Sequence, residues 1–567
     1  MDNTLRGLEL PQPRFRIAPL SPNLKEIPGF YGLQTFFPTL SRLFRITKHQ
    51  SNDIWLDSNM KISGVDISGT SGKCTLGLAR NVDASGDSVD TVIQRNAFLK
   101  VTHLLDPVRW IKGEYSLPKH TGLPWHSKTW AAAWTKLQDQ SNQAYVEAVA
   151  SYLFGKIRDA GVSPHFNEFY GAFCARAKIY RYNLTEEFRS FRNTRWFWHG
   201  QKRGLYKLHV VLADSPNETV PDTVLEEMLR EPSEFTSSSH SETEDVDDME
   251  VSLEEGVSLT SEEASVHSGH LSELSFAEEE EEDSSAGETE LEEKYKIYAE
   301  ISDFPVMMIG IEDNNNTMDY LLDTPKEVGA TPGTEEWEQR WSAWVFQVLA
   351  ALSVAQSVIG FTHNDLHTNN IVWSETKEEY LYYVKRSGET FKVPTYGKLF
   401  RIIDFGRSIF TVNGKQFISD DFKSGNDAEG QYCFKPLHPR PTEEVLPNPS
   451  FDLCRLAVSL LEAVFPETPK DKEGGAVLSS EEGLEVVETV SPLYNVLWSW
   501  MIDDKGENVL ITPSGDERFP GFDLYKHIAA HVHSAVPSYQ FIKPAFDQFQ
   551  VNASSVDASI KCWKLFC

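Results

Sequence analysis

The chain has 567 residues, enough for more than one average domain and a large buried core. Its hydrophobic fraction of 40 %, with 14 Trp and 33 Phe, is that of a globular protein, and no run approaches the roughly 18 uninterrupted apolar residues of a membrane span. The net charge of −31 is local: residues 231–293 hold 23 Asp and Glu and no Lys or Arg, leaving −8 for everything else, and with no basic, aromatic-interleaved stripe nucleic-acid binding is not expected.

Met1 to Arg16 carry Asp2 and Glu9 without an apolar stretch, so no signal peptide is expected. Six cysteines, at 74, 174, 433, 454, 562 and 567, form neither C-x-x-C pairs nor a dense framework, which fits reduced thiols. Residues 1–50 are Pro-rich, then apolar and aromatic from 30 to 46. They read as an N-terminal extension without chemistry of its own.

A strand texture begins near Ile54. Residues 62–67 lead into Ser68-Gly69-Thr70-Ser71-Gly72-Lys73 and a second strand from 74 to 79. Strand, Gly-containing turn, strand is the shape of a loop that covers nucleotide phosphates with backbone N–H groups, with Gly69 and Gly72 at the turn. A plain hairpin has the same local pattern. Next, Ala97-Phe98-Leu99-Lys100-Val101 sets one Lys inside an apolar strand. Burying that ammonium costs desolvation unless it is paired, which points to an ion pair or a phosphate; an edge-strand Lys reaching solvent is the alternative. A helix is predicted over 138–158, with Glu147 the single carboxylate in its interior and the expected partner of Lys100. The intervening stretch carries Trp110, Trp125, Trp130 and Trp134.

Residues 169–175 read as a further strand. The stretch 213–293 is dominated by Ser, Glu and Asp and cannot bury enough surface to order itself, so it is expected to be a disordered acidic insertion. A buried strand resumes at 304–311, followed by Glu312, Asp313 and three Asn. This is the expected hinge, with Ile311 and Glu312 meeting a nucleotide base through backbone groups. One apolar helix over 337–359 then delivers the chain to Gly360-Phe361-Thr362-His363-Asn364-Asp365-Leu366-His367-Thr368-Asn369-Asn370.

That segment contains H-x-D-L-x-x-x-N. One short loop places a carboxylate, Asp365, against an acceptor hydroxyl and an amide oxygen, Asn370, against a metal. Phosphoryl transfer needs this because it depends mostly on positioning and charge neutralisation. His363 opens the motif and His367 is its basic residue. Downstream, Phe400-Arg401-Ile402-Ile403 runs into Asp404-Phe405-Gly406, a second metal-binding element. An activation-like segment extends to about 448, Asp452 opens an apolar helix to 465, and the remainder reads as mostly helical.

These residues resemble the protein-kinase-like superfamily, and more narrowly the divergent serine/threonine kinase-domain proteins of giant DNA viruses. The narrower likeness lies in Phe98-Leu99-Lys100, Ser163-Pro164-His165-Phe166, His363 to Ile371, Pro449 to Leu456 and Asp503 to Tyr525. The resemblance implies an α+β, two-lobed fold: a β-rich lobe over 51–311 interrupted by the acidic insertion, and a mainly helical lobe over 312–567. It implies ATP with Mg²⁺ as cofactors, held by Lys100 and Glu147 at the phosphates and by Asn370 and Asp404 at the metal. It also implies Ser/Thr hydroxyls of host or viral proteins as acceptors, in host cytoplasm or in the virion.

Four features depart from that pattern. The Gly loop is short, His367 stands where protein kinases have Lys, Asn364 replaces the Arg before the catalytic Asp, and no A-P-E follows D-F-G. A His at that position also occurs in aminoglycoside- and choline-type kinases. A small-molecule phosphotransferase and a catalytically idle binding module are therefore the alternatives, and the acidic insertion is an expected surface for basic partners.

Overall fold

The computed structural model describes residues 27–44, 46, 56, 60–67, 73–80, 92–115, 131–213, 220–232, 294–432, 445–481 and 483–567. Gly69 and Gly72, and most of the acidic insertion (214–219 and 233–293), lie outside the described residues. The protein is mixed α+β, with a curled antiparallel sheet. It divides into two compact units, one of Met1–Leu104, Thr121–Arg176 and Pro305–Cys567, the other of Leu105–His120 and Ala177–Phe304.

In the first unit, β1 (Phe30–Gln34), β2 (Met60–Ile67), β3 (Lys73–Arg80), β4 (Val92–His103) and parts of β5 (Phe169–Asn183) and β7 (Tyr295–Glu312) form a sheet in the order β1-β5-β7-β4-β3-β2. The N-terminal extension thus supplies an edge strand, and Phe36, Phe37 and Leu40 beside it are buried. In β4, Ala97 and Leu99 are buried on one face, and the period of two sends Phe98, Lys100 and Thr102 to the other. Antiparallel pairing sets Ile309 opposite Lys100 and Ile311 opposite Phe98.

The helix that carries Glu147 spans Gln143–Asp159. It begins five residues later than predicted, because residues up to Gln138 belong to a separate helix, Ala131–Gln138. Asn142 causes the break: its side chain accepts from the Ala144 N–H, the ordinary work of an N-cap.

Helix Glu335–Ile359 is the one described helix long and apolar enough to cross a membrane, and 83 % of its most apolar window is buried within the protein. Trp337, Trp341 and Trp344 line one side of it and are fully buried. Cutting any of them to Ala would cost about 3–5 kcal/mol. The helix ends at Gly360, whose φ of 58° is the left-handed cap that suits glycine. Past residues 363–370, β9 (Ile371–Glu375) pairs with β8 (Asn316–Thr317) on one side and β12 (Lys398–Ile402) on the other, while β10 (Tyr380–Val384) pairs with β11 (Thr390–Pro394). The prediction of a mostly helical C-terminal region is corrected. Two short strands there, Gln550–Val551 and Cys562–Lys564, extend the β10–β11 hairpin, and another hairpin joins Val477–Glu481 to Leu484–Val487.

In the second unit, β6 (Lys207–Leu212) pairs antiparallel with the first half of β7. Helices Pro107–Lys112 and Arg195–Lys202 approach so closely that a Cβ on Gly200 would meet the Ile111 carbonyl oxygen at 2.2 Å. Within the stretch expected to be disordered, Asp222–Met228 forms a helix, with Val220 and Met228 buried. Apolar side chains at 220, 224, 225 and 228 make that first part less polar than the acidic run after it.

Candidate active site

A cavity of about 420 Å³ opens in the first unit, a size typical of small-ligand sites. Phe98 and Lys100 of β4, Ile309 and Ile311 of β7, and Glu147, Ser151 and Phe154 of the following helix all line it. Glu147, Ser151 and Phe154 are spaced i, i+4, i+7, so one helical face fronts the cavity. The Lys100 ammonium sits 2.5 Å from Glu147 and 2.9 Å from Asp404. Desolvation works against the Lys100 charge, but Asp404 and Glu147 outweigh it and hold the pKa above the usual lysine value. Desolvation raises Glu147 to about 6 even though Lys100 opposes it. Asp404 also loses hydration, yet Lys100 holds it down at about 2.

Asn370 and Asp404, 34 positions apart, also line the cavity. The β9–β12 ladder brings them together: Ile371 pairs with Ile402, and the Ile403 N–H donates to the Asn370 carbonyl at 3.0 Å. The Asn370 side chain donates through Nδ2 to the Asp365 carbonyl at 2.8 Å and lies 3.1 Å from His367 Nε2. His367 Nε2 therefore accepts, and the Asn370 amide oxygen takes part in neither contact. Asp404 has φ 63°, a left-handed turn that Asp tolerates and that re-aims the chain directly after the strand.

Among the described residues no three His, Cys, Asp or Glu form a metal site from protein ligands alone. Mg²⁺ rarely needs one, since it takes one or two carboxylates and completes its shell with phosphate and water. Asp404 and the Asn370 oxygen fit that pattern of hard oxygen donors.

Asp365 is not part of the cavity lining but adjoins it through Asn370. Its Oδ1 accepts from the Tyr525 hydroxyl at 2.9 Å, and its Oδ2 lies 3.5 Å from Arg407. Burial works against the Asp365 charge, and the guanidinium groups of Arg407 and Arg455 overcome it, so the carboxyl stays below its ordinary value. The loop backbone is braced by Asp452, whose two oxygens accept from the His363 and Asn364 N–H groups at 2.9 Å each. His363 itself is fully buried, and its Nε2 donates to the Ile403 carbonyl at 2.8 Å. It holds the loop and does not face the cavity. Burial lowers its pKa, keeping the ring neutral.

At the expected hinge, Ile311 faces the cavity and Glu312 is heavily engaged. Its carboxylate pairs with Arg158 at 2.7 Å and Arg401 at 3.2 Å, and its N–H donates to the Glu168 carbonyl. Its own carbonyl accepts from Asn314 Nδ2 at 3.2 Å. Arg401 is buried, which lowers its pKa to about 10. Sequence reasoning passed over Arg401, although it carries the signal used for Lys100, a cation inside an apolar strand.

The segment after Asp404 is anchored by adjacent carboxylates. Asp420 accepts from the Gln143 N–H at 2.9 Å, at the start of the Glu147 helix, and pairs with Lys136 at 2.6 Å. Asp421 lies 3.7 Å from Arg407, and burial raises it to about 7. Asn364, where kinases carry Arg, donates to the Arg407 carbonyl at 3.0 Å and accepts from the Tyr432 hydroxyl at 2.7 Å.

No family model matches the chain, and no curated protein matches it.

Proposed function

We propose that the chain is an ATP-dependent phosphotransferase. One observation carries the reading: Lys100 bridges Glu147 and Asp404 at the wall of a ligand-sized cavity into which Asn370 also projects. Three charged groups gathered at an apolar cleft are either a structural lock or a seat for an anionic ligand. Only the ligand role accounts for the cavity and the amide beside it.

In this reading the base lies against Phe98 and Ile311, cross-strand neighbours on one wall of the cavity, and Lys100 holds the α- and β-phosphates. Asp404 and Asn370 would hold Mg²⁺, and the metal would supply neutralisation of phosphate charge. Asp365, kept ionised by Arg407, receives the acceptor's proton. The two lobes expected from the sequence belong to this proposal, as do Ser/Thr hydroxyls of proteins as acceptors. His367 is engaged with Asn370 and so is not the mobile cation that protein kinases place there. This keeps a small-molecule acceptor as the second reading.

Incubation of the purified chain with γ-labelled ATP and Mg²⁺, separately with a protein lysate and a metabolite panel, tests both. Label on lysate proteins supports the first reading and label on a metabolite the second. Absence of transfer together with absence of Mg-ATP binding rejects the phosphotransferase.

A further inference from the structure

The stretch ending at Tyr525 lies far along the chain from the catalytic loop, yet it reaches Asp365. Tyr525 belongs to helix Asp523–His531, and its hydroxyl donates to Asp365 Oδ1 at 2.9 Å. A phenol has one proton to give and lone pairs to receive with. Arg455, from helix Phe451–Val464, donates through Nε to the Tyr525 oxygen at 2.9 Å. With Arg455 filling the acceptor side, the single Tyr525 proton is directed at Asp365. Both residues are buried, at 4 % and 5 % exposure, so water does not compete for either bond. The ring is fixed as well: Phe522 stacks on it at 5.0 Å and 17°, and Phe451 packs at 5.8 Å. Burial pushes the phenol up to about 12, which keeps it a donor at neutral pH.

Resting on the phosphotransferase reading, we propose that Tyr525, aimed by Arg455, is a positioning residue that fixes the rotation of the Asp365 carboxylate. The torsion that turns a carboxylate is broad and roughly two-fold, so an unrestrained Asp365 presents either oxygen at many angles. With Oδ1 pinned by Tyr525, Oδ2 is the oxygen offered to an acceptor hydroxyl. Arg407 at 3.5 Å from Oδ2 is beyond hydrogen-bond length and leaves room for that contact. Orientation of this kind acts on the chemical step and not on nucleotide capture. The stretch 503–525 is thereby given a task in the reaction despite its distance from the motifs.

The test uses the full chain and Mg-ATP, with ADP release measured in water and with any acceptor that the screens above identify. Tyr525→Phe keeps the ring and removes only the hydroxyl. The expected result is a fall in kcat of about 10- to 100-fold, with the Kd for Mg-ATP within about twofold of wild type. Arg455→Met removes the group that aims the proton and should lower kcat less. The double variant should be no slower than Tyr525→Phe, because the two act through one hydrogen bond. The inference is overturned if Tyr525→Phe keeps kcat within about twofold, or if kcat and Mg-ATP affinity fall together, as general damage to the fold would make them. Wild-type protein that neither binds Mg-ATP nor releases ADP overturns the phosphotransferase reading and this inference with it. A wild type that turns over beside an equally fast Tyr525→Phe overturns the inference alone.

Discussion

Lys100 and Asp365 are the two charged centres of the site, and they are held in opposite ways. Lys100 lies between two carboxylates at 2.5 and 2.9 Å, one on a helix and one on the segment after a strand. Asp365 takes one short bond from a neutral phenol, while its nearest guanidinium stands off at 3.5 Å. The first arrangement is strong, local Coulomb attraction, which holds a charge in place when nothing is bound and can be exchanged for phosphate. The second is directional and leaves an oxygen available. In the proposed phosphotransferase, a group that grips an anion and a group that accepts a proton would need these different surroundings.

The sharpest way to break the comparison is to remove one charge from each centre. Asp404→Asn and Asp365→Asn should each reduce turnover at least about 1,000-fold. Only Asp404→Asn should weaken Mg-ATP binding, measured by calorimetry, because Asp365 adjoins the cavity without lining it. Equal loss of binding in both variants would erase the distinction.

Asp452 tests how the Asp365 side is braced. Asp452→Ala leaves the buried His363 and Asn364 N–H groups without their acceptor and should cost about 2 kcal/mol, read from urea unfolding. Burial raises the Asp452 carboxyl to about 7 in the folded protein despite those two N–H groups, from 3.8. A raised carboxyl contributes its stability in full below the unfolded value and loses it as pH rises through the folded one. The cost of Asp452→Ala should therefore be larger on the acid side of neutrality than on the alkaline side. The reverse trend would mean that the ionised form is the favoured one.

On the Lys100 side the pH effect has the opposite sign. Burial raises the Glu147 carboxyl above its ordinary value against the pull of Lys100, so acidification below neutrality protonates it and weakens its hold on Lys100. Mg-ATP affinity should fall by about tenfold as pH drops from about 7 to about 5. Glu147→Gln should bind weakly at every pH and show no such limb.

The smallest expected effect is none at all. Asp420 and Asp421 already tie the segment after Asp404 to the Glu147 helix and to Arg407, the roles a phosphate would otherwise fill. Ser419 is fully buried and caps Asp421, and Tyr432 is spent on Asn364. Phosphatase treatment should leave the initial rate within about twofold. A tenfold loss, roughly 1.4 kcal/mol, traced by mass spectrometry to Thr411, Ser419, Ser424, Tyr432 or Thr442, would contradict this.

The two centres also differ in how readable they are from the sequence. Lys100 stands alone in an apolar strand and Glu147 alone in a helix interior, so charge burial by itself points to a pair, 47 residues apart. Asn370 and Asp404 sit in short motifs whose spacing has a mechanical reason. Tyr525 is 160 residues from Asp365, in a segment whose periodicity says only helix, and nothing local announces that its hydroxyl points at a carboxylate. The same holds for the strands Gln550–Val551 and Cys562–Lys564, which are too short to signal themselves and exist because the β10–β11 hairpin offers them an edge. The helix start at Gln143 was readable, since Ser141 and Asn142 directly before it are both cap formers. Continuous apolar spacing on either side hid it.

The central claim is that the cavity holds Mg-ATP by its phosphates against Lys100. A crystal structure with Mg²⁺ and a non-hydrolysable ATP analogue tests it most directly. The account predicts the α- and β-phosphates within hydrogen-bond reach of the Lys100 ammonium, with the metal on Asp404 and the Asn370 oxygen. An analogue bound elsewhere, or Lys100 still closed between Glu147 and Asp404 at saturating analogue, would contradict it.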